Sequence, residues 1–368
     1  MKTSIVRFVG GLKLEEARLS SESVDEELEQ MLREAQTRII VLGTGGAGGN
    51  TISRMMEVGI KGAETVALNT DAQDLLYATA DRKILIGSEI TDGLGAGNDP
   101  KKGEEAARED EELIKEHLHG ADLVFITCGL GGGTGTGSAP VIAEIAQRLG
   151  LLTVAVVTLP FSVEGRRRSQ NAVGGLQKLR EVVDTVIVIP NDKLLEVAPD
   201  LPIPAAFKVA DQLLMDAIKG ITEMITKPGL INLDFADVKT VLDNGGVAMI
   251  GIGSSDTDDR AAVAVEEALN SPLLDVDVTG AKGALVNVTG SPDMSLEEAE
   301  AIVGQVSEAL DPDAQVMWGA QVSEDLKKSI NVMVILSGVH SPYALKPGER
   351  PPTKEEEGET NLGLESLG

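Results

Sequence analysis

Two glycine-rich loops are the segments of this chain whose residue types could bind an anion. The sequence GTGGAGGN occupies residues 43–50, and GLGGGTGTGSAP occupies residues 129–140. Each loop follows a short apolar run and precedes a segment with helical spacing. Glycines let backbone amides approach a phosphate closely, and a helix that starts there directs its positive end to the same place. Both loops therefore predict a site for a phosphate-bearing ligand.

Local patterns leave alternatives open for these loops. Gly43, Gly45 and Gly48 fit the G-x-G-x-x-G pattern of dinucleotide sites. That pattern expects an acidic residue about 20 positions later at the end of the next strand, where Asp71 comes slightly late. The first loop could also be a tight turn that serves strand–helix packing. The second could be a flexible linker, but its place between a buried strand and a helix disfavours this.

The chain has no G-x-x-x-x-G-K-[ST] motif, so no P-loop lysine would neutralise the phosphates. Amide dipoles and a divalent cation would have to balance their charge. A third loop, GLGAGNDP at residues 93–100, also follows a predicted strand and could close over a terminal phosphate. Three such loops on one sheet predict a nucleotide diphosphate or triphosphate as the ligand.

The elements that must position these loops alternate along the chain. This alternation predicts an α/β fold with a doubly wound, mainly parallel, Rossmann-like sheet, whose binding loops lie at the carboxyl ends of the strands. The predicted strands of this part cover residues 38–42, 65–68, 83–86, 123–128, 153–159 and 185–189. Apolar spacing then predicts a long central helix over residues 205–226, which ends at Lys227-Pro228-Gly229.

A smaller α/β domain is predicted beyond the central helix. Its strands and helices are expected at residues 247–252, 260–269, 284–288, 296–310, 315–322 and 330–339. The resulting division is an N-terminal extension (1–36, with a charged helix near 24–35), a nucleotide-binding domain (37–204), the helix (205–228), a C-terminal domain (229–340) and a disordered tail (341–368). The tail ends in NLGLESLG, which is either a short docking peptide or simply a frayed terminus.

Composition excludes several classes of function. The 368 residues carry 32 Lys and Arg against 59 Asp and Glu, a net charge of −27, which argues against nucleic acid as a partner. Cys128 is the only cysteine and there are three histidines, so we expect no cysteine zinc cage and no histidine-rich metal centre. No apolar run reaches the ~18 residues of a membrane span, and we expect a cytoplasmic protein without direct membrane insertion.

The segment GGGTGTG after an apolar strand resembles the signature of the tubulin/FtsZ superfamily. Four further stretches agree in order and spacing: NTDAQ (69–73), PFSVEGRRR (160–168), IPNDKL (189–194) and NLDFADV (232–238). The chain is most similar to the FtsZ family of prokaryotic cell-division GTPases, of the archaeal kind, over about residues 38–340. The resemblance implies a GTPase that polymerises head-to-tail into protofilaments and forms the division ring at mid-cell.

The resemblance also assigns residues to GTP or GDP, with Mg²⁺ bound through the nucleotide. It implies that the glycine loops hold the phosphates and that Asn191, Phe207 and Asp211 hold the guanine. The full set is Gly45, Gly46, Ala47, Gly48, Asn50, Asn69, Asp71, Ala96, Gly97, Gly132, Gly133, Thr134, Gly135, Thr136, Gly137, Glu164, Arg168, Asn191, Phe207 and Asp211. Local patterns alone would make Glu164 and Arg168 a solvated helix start, Phe207 a core residue and Asn191 a turn residue.

Asp234, Asp237 and Asn232 are the catalytic residues that the resemblance implies. Taken alone, Asp234 and Asp237 would cap the start of a helix, because they lie three residues apart. In FtsZ-like proteins this loop enters the nucleotide site of the neighbouring subunit, where its carboxylates help to polarise the attacking water. The resemblance therefore implies an active site split between subunits, and heterologous contacts of this kind build filaments.

Four further expectations accompany this interpretation. Asp99 replaces the usual residue of the third loop, and we expect it to alter nucleotide affinity or hydrolysis modestly. The tail peptide 361–368 is expected to bind a membrane-tethering division adaptor. The acidity reflects either filament solubility or a salty habitat, and the lysine content favours the first. The alternatives to a division GTPase are a nucleotide-cofactor dehydrogenase, which leaves GGGTGTG unexplained, and a scaffolding or cell-shape paralogue with weak GTPase activity.

Overall fold

The computed structural model describes residues 37–197, 202–227, 229–243, 245–274 and 278–339. The expected N-terminal helix at 24–35 and the tail at 341–368 lie outside the described residues. Within those ranges, every helix is too short or too polar to cross a lipid bilayer.

Ten strands and twelve α-helices alternate through the described ranges. The strands are β1 (Ile39–Thr44), β2 (Ala63–Asn69), β3 (Arg82–Leu85), β4 (Leu123–Gly129), β5 (Leu152–Leu159), β6 (Thr185–Pro190), β7 (Gly246–Ser255), β8 (Gly283–Gly290), β9 (Gln315–Val322) and β10 (Ile330–Ser337). The helices are α1 (Gly45–Val58), α2 (Ala72–Tyr77), α3 (Ser88–Thr91), α4 (Pro100–Glu109), α5 (Glu111–Leu118), α6 (Thr134–Arg148), α7 (Arg166–Arg180), α8 (Asn191–Val197), α9 (Ile203–Thr226), α10 (Phe235–Leu242), α11 (Arg260–Leu269) and α12 (Leu296–Ala309).

All ten strands form one sheet in the order β3-β2-β1-β4-β5-β6-β7-β10-β8-β9. Every neighbouring pair is parallel except the two pairs that β10 makes with β7 and β8. The α/β class and the mainly parallel sheet are therefore confirmed. The sheet also runs on into the part predicted to be a second domain, because β6 pairs with β7 from Thr185↔Gly246 to Ile187↔Ala248. The division into domains stays a prediction.

Apolar layers cover both faces of this sheet, as expected for parallel strands. One layer includes the central helix α9, whose Leu214, Ala217, Ile218 and Ile221 are fully buried at helical spacing. The opposite layer includes the helix α6, which follows the second glycine loop. Burial thus fixes the position of both helices on the sheet.

The central helix was predicted over residues 205–226 and is confirmed, but it begins two residues earlier, at Ile203. Pro204 suits that position, because the first turn of a helix needs no partner for its amides. The helix has 24 residues and is therefore about 36 Å long. The third loop differs from expectation, because the short helix α3 separates it from β3.

Candidate functional site

A cleft of about 250 Å³ opens at the carboxyl ends of the central strands. Twelve of the predicted nucleotide residues line it, although they are spread over more than 160 positions of the sequence. They are Gly45, Gly46, Ala47, Gly132, Gly133, Thr134, Gly135, Glu164, Arg168, Asn191, Phe207 and Asp211. The fold therefore brings the two glycine loops, the Glu164–Arg168 segment and the start of α9 to one place.

Two helix starts form one wall of the cleft. Helix α1 begins at Gly45 and helix α6 at Thr134, and neither has an acidic residue in its first turn. Within the described ranges, the preceding residues Thr44 and Gly133 give these helices no side-chain cap. The first amides of a helix have no partner within it. Those of α1 and α6 are thus available to an anion in the cleft.

The two glycine loops touch each other backbone to backbone. Gly45 has a φ of 71°, and a Cβ atom there would lie 2.9 Å from the amide nitrogen of Gly135. A side chain at Gly45 would therefore both strain the backbone and push the loops apart. Gly132, in contrast, has no atom within 4 Å of its Cβ position, so open space in the cleft lies in front of it.

Hydrogen bonds of Ser and Thr hydroxyl groups hold the loops in place. Thr70 Oγ1 lies 2.6 Å from Thr134 Oγ1, and Thr44 Oγ1 lies 2.6 Å from Ser138 Oγ. The amide of Gly131 donates to Thr136 Oγ1 at 2.8 Å. Thr136 was predicted to bind nucleotide, but the structure places it behind the loop, buried and outside the lining of the cleft.

Gly48 and Gly137, also predicted to bind phosphate, allow close packing behind the cleft. A Cβ atom at Gly48 would lie 2.6 Å from the carbonyl oxygen of Thr127, and one at Gly137 would lie 2.0 Å from that of Pro100. A side chain at either position would displace backbone. Gly48 therefore serves strand–helix packing, which was the alternative interpretation of the first loop. Gly45 and Gly46 in the same loop line the cleft and fit a role in binding a ligand.

Two oxygen-bearing side chains, Asn191 (buried) and Asp211 (half-buried), lie at the end of the cleft formed by β6 and α9. Asn191 is 4% exposed, and its Oδ1 has no hydrogen-bond partner among the described residues. Burial raises the pKa of Asp211 to about 6, although the nearby charge of Arg54 opposes this. A buried acceptor without a donor is unfavourable. This end of the cleft therefore suits a ring that presents N–H groups.

Phe207 forms a wall of that end and is not a core residue, since 40% of it is exposed. Its ring meets Phe161 edge-on, with centroids 5.0 Å apart. At the lip of the cleft, Arg168 forms an ion pair with Glu164 at 2.5 Å. Glu164 also accepts the amide of Phe161 at 2.9 Å. These two residues do lie at a helix start, as the simpler alternative expected, and they also line the cleft.

The other predicted nucleotide residues lie beside the main cleft. Asn50 and Asn69 line an adjoining cleft of about 210 Å³, and Gly45 and Gly46 line it too.

The remaining residues have structural roles or lie at the surface. Asp71 caps helix α2 through the amides of Gln73 and Asp74, and Gly97 is exposed with a φ of 60°. Ala96 is buried against Gly133. Asp99 caps α4 through the amide of Lys101 at 3.0 Å.

Sequence reasoning missed several lining residues. In the main cleft these are Thr44, Gly129, Leu130, Thr158, Pro160 and Ala210, and in the adjoining cleft Asp74 and Tyr77 are the most polar additions. The carboxyl-end rule for parallel strands could have found Thr44 and Thr158. Ala210 could have been found from Phe207, because residues three apart share a helix face. No pattern marks Asp74 or Tyr77.

The three predicted catalytic residues lie elsewhere. Asp234 begins α10 and accepts the amide of Asp237 at 2.8 Å, while Asp237 accepts the amide of Asp234 at 3.2 Å. Asn232 accepts the amide of Gly229 and shapes the turn before them. None of the three lines the cleft. Phe207 and Asp211 lie in the first half of α9, whereas Asp234 follows its end, so more than half of the length of α9 separates the two groups.

Comparisons with known proteins match almost the whole described chain. The model of the Tubulin/FtsZ family GTPase domain matches residues 38–199, and that of the FtsZ family C-terminal domain matches residues 246–340. Cell division protein FtsZ 1 of Pyrococcus horikoshii is 61% identical over 345 residues, covering 94% of this chain and 92% of that protein. Its namesake in Archaeoglobus fulgidus is 60% identical over 324 residues, covering 88% of each chain. A solved structure described as an empty FtsZ dimer from M. jannaschii has a TM-score of 0.83 at 53% identity, covering 90% of this chain and 100% of that one.

Proposed function

The chain belongs to the FtsZ family of cell-division GTPases, and we propose that it hydrolyses GTP at a site completed by a second copy of itself. One copy supplies the cleft that holds the nucleotide. The next copy supplies Asp234 and Asp237. The separation of these two groups along α9 carries this proposal.

That separation is too large for one copy to close. From Asp211 to its last residue, Thr226, helix α9 rises by about 23 Å, and its buried face packs on the sheet along its length. Bending it would expose Leu214, Ile218 and Ile221. The carboxylates of a chain therefore serve a neighbouring cleft and not their own. The two ends of the molecule differ, so such contacts repeat without closing and build a filament.

The orientation of GTP follows from the two ends of the cleft. The uncapped starts of α1 and α6 favour the phosphates. Asn191 Oδ1 and the Asp211 carboxylate favour guanine, because its ring edge presents N–H donors to two acceptors. Phe207 supplies a face for the ring. Glu164 and Arg168 then lie beside the sugar and phosphates, and their ion pair must open or shift to contact them.

Mg²⁺ is proposed to bind through the nucleotide. Among the described residues there is no group of three or more His, Cys, Asp or Glu side chains that could hold a metal ion by itself. Near the phosphate loops, Asp74 lies beside Gly46, Asp71 already caps α2, and Glu164 is paired with Arg168. The phosphate oxygens would therefore provide the anionic ligands, and the bound ion would neutralise part of the phosphate charge.

The carboxylates of the second copy would hold and polarise the attacking water. In the capping pair, each carboxylate gives one oxygen to an amide of its own helix. Asp234 Oδ2 and Asp237 Oδ1 take no part in those two bonds and can accept hydrogen bonds from water. The amides of α1 and α6 meanwhile stabilise charge that develops on the phosphates. One copy thus supplies fixed carboxylates that act on the water, and the other supplies fixed amides that stabilise the phosphates.

Filaments of this kind are proposed to form the division ring at mid-cell in the cytoplasm. The tail 361–368, outside the described residues, is proposed to bind a membrane-tethering adaptor. A scaffolding or cell-shape role with weak hydrolysis is less well supported, because Asp234 and Asp237 are both present and together cap the start of α10.

GTP turnover per subunit, measured against protein concentration with Mg²⁺ and light scattering, tests the shared site. We expect specific activity to appear above a critical concentration, together with GTP-dependent scattering. Turnover per subunit that is independent of concentration would mean a self-contained site. Assembly without turnover would favour the scaffolding alternative.

A mixing experiment tests the division of labour directly. Asp234→Asn leaves the cleft intact, and Gly45→Ala damages the cleft but leaves Asp234 intact. Each variant alone should hydrolyse GTP poorly. In a mixture, Gly45→Ala copies can donate Asp234 to the intact clefts of the other variant, so turnover should rise above the sum of the two. Strictly additive activities would contradict the shared site.

A further inference from the structure

Helix α10 carries two carboxylates at its start and is held by its last turn. Asp234 and Asp237 lie at the start of this helix, which has eight residues and is therefore about 12 Å long. A small change in the direction of so short a helix would move both carboxylates together. Val241 and Leu242 in the last turn are buried. The contacts of that turn therefore decide where the carboxylates lie.

Two hydroxyl groups bind the last turn of α10. Thr185 Oγ1 donates to the carbonyl oxygen of Leu242. Ser337 Oγ donates to the carbonyl oxygen of Val241 at 3.1 Å. All four residues are buried, and the last carbonyl groups of a helix have no amide partner within it. The two hydroxyl groups therefore supply hydrogen bonds that α10 cannot make by itself, and we call Thr185 and Ser337 the hydroxyl pair.

Two glycines leave the space that the hydroxyl pair needs. A Cβ atom at Gly245 would lie 2.4 Å from Thr185 Oγ1, and one at Gly283 would lie 2.7 Å from Ser337 Oγ. Neither glycine has a φ in the left-handed region, so backbone conformation does not require glycine at either position. Close approach of the hydroxyl groups therefore accounts for both glycines.

The hydroxyl pair ties α10 to the sheet that carries the nucleotide cleft. Thr185 is the first residue of β6, and Asn191, which lines the cleft, directly follows the last residue of that strand. Ser337 is the last residue of β10, which pairs with β7 from Ile330↔Ser255 to Ser337↔Ala248. The sheet thus sets the position of the carboxylates relative to the cleft of the same copy.

We propose that the hydroxyl pair positions Asp234 and Asp237 for GTP hydrolysis in the cleft of the next copy. The inference rests on the proposed function, because it assumes that these carboxylates act there. Thr185 and Ser337 do not line the cleft, and they act through α10. Without their hydroxyl groups, the last turn of α10 has buried carbonyl oxygens that lack these donors, and it shifts to find others. A shift of about 1 Å in a reacting group can lower a rate by about 10²-fold.

Thr185→Val removes one hydroxyl group and keeps the shape of the side chain. We expect GTP turnover per assembled subunit to fall by about 10–100-fold, while GTP affinity measured below the critical concentration changes by less than about twofold. Sedimentation gives the assembled fraction. Thr185→Ser keeps the hydroxyl group and should retain turnover. Thr222→Val is the matched control and should not lower turnover, because Thr222 is also fully buried and its Oγ1 has no hydrogen-bond partner among the described residues.

Mixing of variants distinguishes positioning from a general loss of structure. Thr185→Val copies have intact clefts, so Gly45→Ala copies should complement them, and turnover of the mixture should exceed the sum of the two variants alone. Asp234→Asn copies should not complement Thr185→Val, because both variants are impaired in the carboxylates that they offer to the next copy. A chain that is merely destabilised would bind GTP weakly and would gain from neither mixture.

Two results would overturn the inference and leave the proposed function in place. One is turnover per assembled subunit of Thr185→Val equal to that of the unmodified chain. The other is a lack of complementation by Gly45→Ala copies that do complement Asp234→Asn. If Gly45→Ala and Asp234→Asn fail to complement each other, the proposed function is wrong, and this inference with it. Should Thr185→Val fail to fold, Ser337→Ala provides the same test, since it removes the other hydroxyl group.

Discussion

Helices α1 and α6 at the nucleotide cleft begin in the opposite way from helix α10 at the far end of the molecule. At the cleft, α1 and α6 begin without side-chain caps in the described structure, and no acidic residue lies in their first turns. At the far end, α10 begins with the reciprocal bonds between Asp234 and Asp237. The cleft end leaves amides for an anion from outside. The far end satisfies its own amides and holds two carboxylates in fixed positions.

The start of a helix can therefore either bind a ligand or present a reactive group. An uncapped helix start is less stable by itself but suits phosphate. A capped start is stable alone, and its carboxylates stay in place when a second copy arrives.

Asp234→Asn separates the capping role of the far end from its charge. Asparagine caps helices about as well as aspartate, so α10 should keep its stability. Loss of the carboxylate should reduce GTP turnover by about 10²–10⁴-fold, as expected for a group that acts on a proton in the transition state. Steady-state phosphate release and thermal unfolding, measured on the same sample, check both statements. Asp258→Asn, in the loop before α11, is the control.

Gly45→Ala tests the cleft end. The substitution places a Cβ 2.9 Å from the amide nitrogen of Gly135 at a φ of 71°. We expect the phosphate loops to separate and GTP affinity to fall by about 10–100-fold, in line with the strain energy at such positions. Gly59→Ala is a close control, because Gly59 ends the same helix with a φ of 81° and has nothing within 4 Å. Equal affinities of the two variants would show that crowding in the cleft does not matter.

The pH dependence of GTP binding sharpens the role of Asp211. Its pKa is raised to about 6 by burial, and only the ionised carboxylate can accept two N–H groups from guanine. Affinity should therefore fall as the pH drops through about 6, approaching about tenfold per pH unit below that value. Asp211→Asn should bind weakly at all pH values and lose this dependence. Titration calorimetry of the unmodified chain and of Asp211→Asn between pH 5 and pH 8, which spans the pKa of about 6, tests both expectations.

The same shift acts with the opposite sign on the stability of the nucleotide-free chain. A carboxyl group whose pKa is raised on folding binds protons more tightly when folded. Its contribution to the free energy of unfolding is therefore largest at low pH. It declines as the pH rises from the unfolded value of 3.8 toward about 6. A difference in stability between the unmodified chain and Asp211→Asn that does not change with pH in this range would contradict the assignment of Asp211.

Asp99 should give the smallest effect. The structure uses its carboxylate to cap α4 through the amide of Lys101. Asp99→Asn should keep that cap, so GTP affinity should change by less than about twofold, while Asp99→Ala should cost about 1 kcal/mol of stability. A large change in affinity with Asp99→Asn would instead support the expectation that Asp99 acts on the nucleotide. Fluorescent-nucleotide binding and thermal melts test the two variants.

Local patterns predicted the strands, the central helix and the glycine loops well, because each has a short-range cause. Apolar spacing marks α9, and the glycines mark positions where backbone comes close to something. Patterns could not say what that something is. Gly45 and Gly48 belong to one motif, yet one meets the other loop at the cleft and the other meets Thr127 behind it.

Long-range pairing was also beyond the reach of the sequence. The joining of β6 to β7 links residues about 60 positions apart through three residue pairs, and no local feature of either strand specifies it. The exposure of Leu76, Leu94 and Leu230 was equally hidden, since leucine usually signals a core position. The resemblance supplied the roles of Asp234 and Asp237, whereas spacing alone supplied only their capping.

The central helix has a consequence for periodicity. In the proposed filament, the distance from one nucleotide to the next includes the stretch of α9 from Asp211 to Thr226, about 23 Å, which separates each cleft from its own far end. The number of residues in this helix therefore contributes directly to the axial repeat of the polymer. Adding or removing one turn would change that repeat by up to about 5.4 Å, a difference that diffraction from aligned filaments would measure.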